Sequence, residues 1–126
     1  MDNKRYLKLN DISAYKISFH LSNYIWNVVK TWNIFAKQTV GGQFVRAADS
    51  IAANIAEGFG RYHKKDKIRF YKISFGSIAE SLDWNEKAIA RKLITEPQYK
   101  YIFNELEKLP KEVNHLIKFT NNKLTI

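Results

Sequence analysis

The sequence contains no cysteine, and it has only two prolines and five glycines among its 126 residues. The absence of cysteine excludes a disulfide scaffold, a thiolate zinc site and a cysteine nucleophile. Proline and glycine both disfavour helix interiors, so their scarcity is typical of a helical protein. No strand-like alternation of apolar and polar residues competes with that interpretation. The composition therefore predicts an all-α protein.

Long hydrophobic runs are missing as well. No stretch approaches the roughly 18 consecutive apolar residues that a membrane span requires. After the Met1–Arg5 segment there is no uninterrupted apolar stretch of the kind that forms the core of a signal peptide. Hydrophobic residues nevertheless make up 45% of the chain, enough to bury one core of ordinary size. We therefore expect a single soluble, cytoplasmic domain covering residues 1–126.

Apolar residues recur at three- and four-residue spacing in four segments, as they do in amphipathic helices. These segments predict helices over about 12–32, 43–58, 65–92 and 96–120. Four amphipathic helices with short links favour an antiparallel up-down-up-down four-helix bundle. Most remaining positions of the second helix are alanine or serine, and such small side chains allow close helix packing.

The predicted ends and joints of the helices depend on individual residues. Residues 33–40 are expected to form the connection after the first helix, and Gly58 and Gly60 to give the second helix a left-handed end. Pro110 predicts a kink or a break in the last helix, because proline cannot donate the helical hydrogen bond. Residues 121–126 are expected to form a frayed tail.

Two further features concern the third and fourth helices. Gly76 lies in the middle of the third helix, where glycine costs about 1 kcal/mol relative to alanine. Close helix packing at Gly76 and Ser77 is the expected reason for its presence. Thr95 and Gln98 match a capping box at the start of the fourth helix.

Positive charge is the most informative property of the composition. Lysine and arginine total 21 against 12 aspartates and glutamates, which gives a formal net charge of +9. Such an excess attracts polyanions, and nucleic acid first among them. The charge is densest between residues 61 and 72, where Asp66 alone opposes six basic residues: Arg61, Lys64, Lys65, Lys67, Arg69 and Lys72.

Spacing within this basic segment suggests how it could act. Lys65, Arg69 and Lys72 are four and three residues apart, so they share one face of a helix. Tyr62 and His63 add planar groups that could stack on bases. One interpretation is a strip that binds phosphates, strengthened if an oligomer repeats it. The other is a turn and a helix face whose charges are only solvated.

Residues 46–61 read R-A-A-D-S-I-A-A-N-I-A-E-G-F-G-R. This segment resembles a bacterial family of four-helix-bundle proteins, first noticed as reading frames inside intervening sequences of 23S ribosomal RNA genes. The likeness continues in the basic stretch K-K-D-K-I-R-F-Y at 64–71 and in G-S-I-A-E at 76–80. The resemblance implies an up-down-up-down bundle that assembles into a ring, typically a homopentamer.

The same resemblance implies a relationship to the accessory proteins of diversity-generating retroelements. Those proteins are basic pentamers that associate with a reverse transcriptase and its nucleic acids. The resemblance supplies no established catalytic residues. We interpret the small and polar residues of the shared motif as a network that fixes helix register or a subunit interface: Arg46, Ser50, Asn54, Glu57, Gly58, Gly76, Ser77 and Glu80.

Complete catalytic or metal-binding sets are missing from the sequence. Glu112 and His115 match half of the Glu-x-x-His element of di-iron bundles, but Asp83 follows Glu80 where a second element would need histidine. No phosphate-binding loop, dinucleotide fingerprint or nucleophile elbow is present. We therefore expect no enzyme activity, no cofactor and no metal. The three tryptophans are expected in the core or at an interface.

The leading hypothesis is a non-enzymatic, ring-forming basic protein that binds nucleic acid or a nucleoprotein. It would contact phosphates with little sequence specificity. The expected partners are further copies of the chain, RNA or DNA, or a ribonucleoprotein such as a ribosome or a reverse transcriptase complex; neither a membrane nor a small-molecule substrate is expected. The alternative is a structural protein–protein interaction module whose charge serves only solubility, favoured by surplus apolar surface on the first and third predicted helices.

Overall fold

The computed structural model describes residues 7–123, and within this range the chain forms four long helices and no strand. The long helices are α1 (Ser13–Val29), α3 (Gly42–Gly60), α4 (Lys64–Ala90) and α5 (Glu96–Lys123), and α2 (Ile34–Ala36) is a single turn. The predicted all-α class with four main helices is confirmed for these residues. The Met1–Arg5 segment lies outside them. None of the helices between residues 7 and 123 combines the length and the hydropathy that a membrane span requires.

The connection predicted at 33–40 is helical instead. Asn33 caps α2, and its side-chain oxygen accepts a hydrogen bond of 3.0 Å from the Ala36 N–H. A π-helical turn, Lys37–Gly41, then leads directly into α3. Gly41 allows this turn to approach the end of α1, because a Cβ there would lie 2.6 Å from Val29 Cγ1. Gly41 is thus needed for close packing rather than for a loop.

The prediction of a left-handed end at Gly58 and Gly60 is wrong. Both lie inside α3, and no glycine in the described range has a positive φ. Gly58 is instead a packing residue, since a Cβ there would lie 2.7 Å from the Tyr71 ring and 2.9 Å from the Lys67 main-chain oxygen. A left-handed residue does occur after α4, at Lys92 with φ 59°.

The last helix is longer and more continuous than predicted. α5 runs through Pro110 without a break and includes residues 121–123, which were expected in a frayed tail. The remaining tail residues, 124–126, lie outside the described range. The capping box is present: the Thr95 N–H donates to Gln98 Oε1 at 2.9 Å, and the Gln98 N–H donates to Thr95 Oγ1 at 3.3 Å.

Each long helix packs against two others, so that one core lies between them. α1 contacts α3 and α5, and α4 contacts the same two helices. The apolar face that the spacing of the 43–58 segment predicts for α3 forms the centre of this core, with Phe44, Ile51 and Ile55 fully buried. Each large apolar side chain buried in this way contributes about 1.5–3 kcal/mol. α5 contributes four fully buried residues to the same core: Ile102, Leu106, Leu109 and Val113.

The buried face of α4 is more polar than predicted. Ser74, Ser81 and Asn85 are fully buried. The apolar spacing of the 65–92 segment predicts Ile68, Phe75, Leu82 and Ile89 in the core, but these four residues are only half-buried. The serines tolerate burial because each hydroxyl bonds a carbonyl of its own helix, that of Ser74 at 2.6 Å and that of Ser81 at 2.8 Å. Half-buried apolar residues therefore flank this face.

Gly76 does not pack against another helix of the chain. It is exposed on the outer side of α4, and in the described part of the chain no atom outside the backbone of its own helix lies within 4 Å of the position a Cβ would take. The predicted close packing at Gly76 is therefore wrong within one copy of the chain.

Candidate nucleic-acid interface

The link between α3 and α4 places the basic segment on the surface. Arg61 follows the last turn of α3 with an extended backbone, φ −74° and ψ 150°. Tyr62 and His63 complete the link, and Lys64 begins α4. The six basic residues thus extend from this link into the first turns of α4. Their side chains form three groups with different surroundings, and Arg69 belongs to two of these groups.

Lys64 and Lys67 bond to main-chain oxygens at the ends of neighbouring helices. Lys67 Nζ donates to the Phe59 oxygen at 2.7 Å, in the last turn of α3. Lys64 Nζ donates to the Asn121 oxygen at 3.3 Å, near the end of α5. A cation is favourable at a helix C-terminus, where unpaired carbonyls carry negative partial charge. Partial burial lowers the pKa of Lys67.

Arg61 and Arg69 are held around one aromatic ring. Their guanidinium carbons lie 4.7 and 4.6 Å from the centroid of the Phe70 ring. Arg61 also forms an ion pair of 3.1 Å with Glu57, and Arg69 one of 3.7 Å with Asp66. All four charged side chains of these pairs remain substantially exposed, so the pairs add little stability. They nevertheless restrict where the two guanidinium groups point.

Lys65, Arg69 and Lys72 form the outward group, as their spacing predicts. All three are exposed on one side of α4. Within residues 7–123, neither Lys65 nor Lys72 forms an ion pair. All three basic residues, together with Ile68 and Ile73, line an open groove of about 540 Å³. We call these three basic residues the basic strip.

The two planar residues of the link are also accessible. The side chain of Tyr62 is 71% exposed, and its ring meets that of His63 edge to face, with centroids 5.1 Å apart. Proteins that bind single-stranded nucleic acid stack the bases on exposed aromatic rings of this kind beside cationic side chains. The sequence indicated Tyr62 and His63 but not the contact of Phe70 with the two arginines. That contact depends on how the link folds back over α4, which residue spacing does not show.

The residues of the shared motif do not form one polar cluster. Asn54 donates a hydrogen bond of 2.8 Å to the Ser50 oxygen of its own helix, and Glu57 pairs with Arg61 on the same side. Arg46 and Glu80 are exposed, and within the described residues neither takes part in an ion pair. The polar bonds of the motif are therefore local to each helix.

Glu112 and His115 lie on α5 beside the start of α1. With Asp11 and several apolar residues they line an open cavity of about 310 Å³. In the part of the chain that the structure describes, no group of three or more His, Asp or Glu residues could hold a metal ion.

Three of the most exposed apolar residues in the described range lie near the end of α1 and in α2. Trp26 is 57% exposed, Ile34 71% and Phe35 75%. Trp26 borders a mainly apolar cavity of about 200 Å³ against the π-helical turn. Trp32, by contrast, is buried in the core. The prediction of a connection at residues 33–40 gives no indication of the exposed apolar side chains of Ile34 and Phe35.

Comparison with known proteins places the chain in a family. A sequence model described as "23S rRNA-intervening sequence protein" matches residues 10–115. The chain belongs to this family. The match includes the motif segment, the basic strip and most of all four long helices, and it confirms the resemblance stated from the sequence.

A solved structure supports the same assignment within the family. It is that of a protein of unknown function from the S23 ribosomal protein family of Bacteroides thetaiotaomicron VPI-5482, determined at 1.70 Å. The two chains are 26% identical, with a TM-score of 0.73, over 83% of this chain and 98% of the other. No curated protein matches the chain. The structural neighbour thus supports the fold of this chain, and its description assigns it no function.

Proposed function

We propose that this protein is a non-enzymatic nucleic-acid-binding protein whose basic strip contacts phosphates with little sequence specificity. The partners that fit are RNA, DNA or a ribonucleoprotein such as a ribosome or a reverse transcriptase complex. The observation that carries the proposal is the outward placement of Lys65, Arg69 and Lys72 on one face of α4. Rigidly spaced cations address the backbone rather than the bases.

The proposal also includes self-association of an antiparallel bundle into a homo-oligomeric ring, a pentamer by the family resemblance. Contacts between helix ends support the antiparallel arrangement: Lys64 bonds the oxygen of Asn121, and Asn85 donates to that of Tyr99 at 3.2 Å. The exposed apolar group of Trp26, Ile34 and Phe35 offers a surface for assembly. A ring would repeat the basic strip, so that one polyanion could bind several strips at once.

The test is retention of labelled RNA and DNA of unrelated sequences on a filter, at 50 and 200 mM salt. We expect all sequences to bind within a few-fold of one another. Charge reversal of the strip, Lys65→Glu/Arg69→Glu/Lys72→Glu, should abolish retention at 200 mM salt. At low salt it should make the slope of log affinity against log salt shallower by about three, roughly one for each lost phosphate contact.

A matched control reverses three exposed lysines on other helices, Lys16, Lys100 and Lys111. Its net charge equals that of the strip variant. If the strip is the binding site, the control should keep most of the affinity of the unmodified chain. Equal losses in the two variants would indicate that only net charge matters, and unchanged retention by the strip variant would contradict the proposal.

The exposed apolar residues favour a second candidate, a structural module whose partner is protein. In that case no nucleic acid is retained even at 50 mM salt, while Phe35→Ser still changes the mass measured by light scattering. A monomeric mass for the unmodified chain would contradict the ring.

A further inference from the structure

Gly76 marks the centre of an unusually open part of α4. It is exposed, and within residues 7–123 no atom outside the backbone of its own helix lies within 4 Å of the position a Cβ would take. Its nearest apolar neighbours on this side of α4 are Ile73, 44% exposed, and the exposed Ala79. Glycine in the middle of a helix costs about 1 kcal/mol relative to alanine. No contact among residues 7–123 explains why that cost is retained here.

The charged residues on this face are arranged symmetrically about Gly76, with opposite signs on its two sides. Lys72 lies four residues before Gly76, and Glu80 lies four after it. Arg69 lies seven before, and Asp83 seven after. At 100° per residue all four fall within about 40° of the direction of Gly76. All four are exposed.

This arrangement is self-complementary. When two copies of a helix pack antiparallel about a two-fold axis, a residue a given number of positions before the centre lies level with the residue the same number after it in the other copy. With Gly76 at the centre, Lys72 is level with Glu80 of the second copy and Arg69 with Asp83 of the second copy. Ile73 is likewise level with Ala79. A C2 contact has this property by symmetry.

We propose that the outer face of α4 is a docking surface for a second copy of this chain, which packs antiparallel across Gly76. The absent side chain lets the two backbones approach, and each copy supplies cations to one half of the contact and carboxylates to the other. Asp83 already bonds Lys87 at 2.5 Å, and Arg69 pairs with Asp66. These exposed pairs can exchange partners at little cost.

The complementarity also sets the extent of the contact. Eleven residues from the centre, Lys65 is level with Lys87 of the second copy, so the favourable pattern covers residues 69–83. A single helix pair of this length buries less surface than the roughly 1,200–2,000 Å² of a stable interface. The contact is therefore concentration-dependent and weakened by salt, and it is distinct from the apolar group assigned to the ring.

This inference does not depend on nucleic-acid binding, although both would use Arg69 and Lys72. Because the sequence contains no cysteine, one introduced thiol reports on one position. In Gly76→Cys the two thiols lie beside the two-fold axis. For helix axes 8–10 Å apart the two facing Cα atoms are about 3.4–5.4 Å apart, and the wider end of this range suits a disulfide.

The experiment oxidises Gly76→Cys under mild conditions and measures the covalent dimer on a non-reducing gel. The control is Ala90→Cys, also exposed on α4, whose thiols would lie about 40 Å apart in the proposed pair. We expect more than half of Gly76→Cys to form dimer, at least five times the fraction seen with the control. Equal fractions for the two variants would overturn the proposal.

Charge reversal tests the pairing itself. In the Gly76→Cys background, Glu80→Lys/Asp83→Lys should lower the dimer fraction several-fold, and so should Arg69→Glu/Lys72→Glu. Combining all four changes should restore it, because the complementary pattern returns with its signs exchanged. Failure of this rescue would overturn the proposal. Glu80→Lys/Asp83→Lys alone should keep nucleic-acid retention, so the two proposals fail separately.

Discussion

The ammonium group of Lys67 donates a hydrogen bond of 2.7 Å to the main-chain oxygen of Phe59 and lies 5.5 Å from the centroid of the Phe59 ring. One cation in the middle of the densest basic segment therefore closes the helix that precedes it. The net charge of residues 61–72 overstates the positive charge that a bound ligand would contact. Lys67 and its exposed neighbour Lys65 should therefore respond differently to substitution.

Lys67→Met should destabilise the fold, whereas Lys65→Met should not. The first change removes the cap of α3, and losing one such hydrogen bond costs about 1 kcal/mol. The second removes an exposed side chain without an ion pair in the described range. Urea unfolding followed by circular dichroism measures the free energy of unfolding. Filter retention of RNA should show the opposite order of effects, and a larger binding loss in Lys67→Met would contradict the assignment.

Alanine at two glycines should have opposite effects on stability. At Gly76 the new methyl group meets open space, so Gly76→Ala should raise the free energy of unfolding by about 1 kcal/mol through helix propensity. At Gly58 the methyl group would lie 2.7 Å from the Tyr71 ring, so Gly58→Ala should lower it by about 1–3 kcal/mol. Thermal unfolding of the two variants in parallel, at low protein concentration, provides the check. Destabilisation by both would show that the outer face of α4 is not open in solution.

Alkaline pH should destabilise the protein through Tyr71. Burial raises the pKa of Tyr71 from 10.0 to about 12, although a hydrogen bond with Thr120 lowers it. Between pH 10 and 12 the unfolded chain releases this proton before the folded chain does, so stability is present below pH 10 and is lost as the pH rises. The loss from this one group reaches about 2–3 kcal/mol.

The measurement compares urea unfolding of the unmodified chain and Tyr71→Phe at pH 9 and pH 11.5. Phenylalanine cannot ionise, so the stability of the variant should fall less between the two values. Parallel losses in both proteins would show that Tyr71 is not the responsible group, since the other tyrosines and the lysines are common to both.

Nucleic acid and a second copy of the chain should compete for α4. A polynucleotide bound to Arg69 and Lys72 covers half of the self-complementary face. Adding RNA at low salt should therefore reduce disulfide formation by Gly76→Cys several-fold, and salt that releases the RNA should reverse the effect. Cross-linking that is unaffected by saturating RNA would place the two contacts on different surfaces.

The apolar face of α3 and the face shared by Lys65, Arg69 and Lys72 were predicted from periodicity, because the spacing of residues along a helix determines which of them share a face. The structural roles of the glycines were predicted less well. A glycine suits a left-handed turn, a close approach and an open surface equally, and only neighbouring atoms distinguish Gly41 and Gly58 from Gly76. The buried serines of α4 were missed for a related reason, since their hydroxyls are satisfied by carbonyls that the sequence does not display.

The π-helical turn Lys37–Gly41 can accommodate the deletion of one residue. A π turn holds one residue more than the α-helical repeat requires, and here it lies inside a helical run that extends from α2 to the end of α3. Deleting the exposed Gln38 would convert the turn to ordinary α-helix without rotating the residues beyond it. The same deletion within α3 would turn every following side chain by about 100° and remove Ile51 and Ile55 from the core. This turn is therefore a place where natural relatives can gain or lose a residue while the basic strip keeps its position.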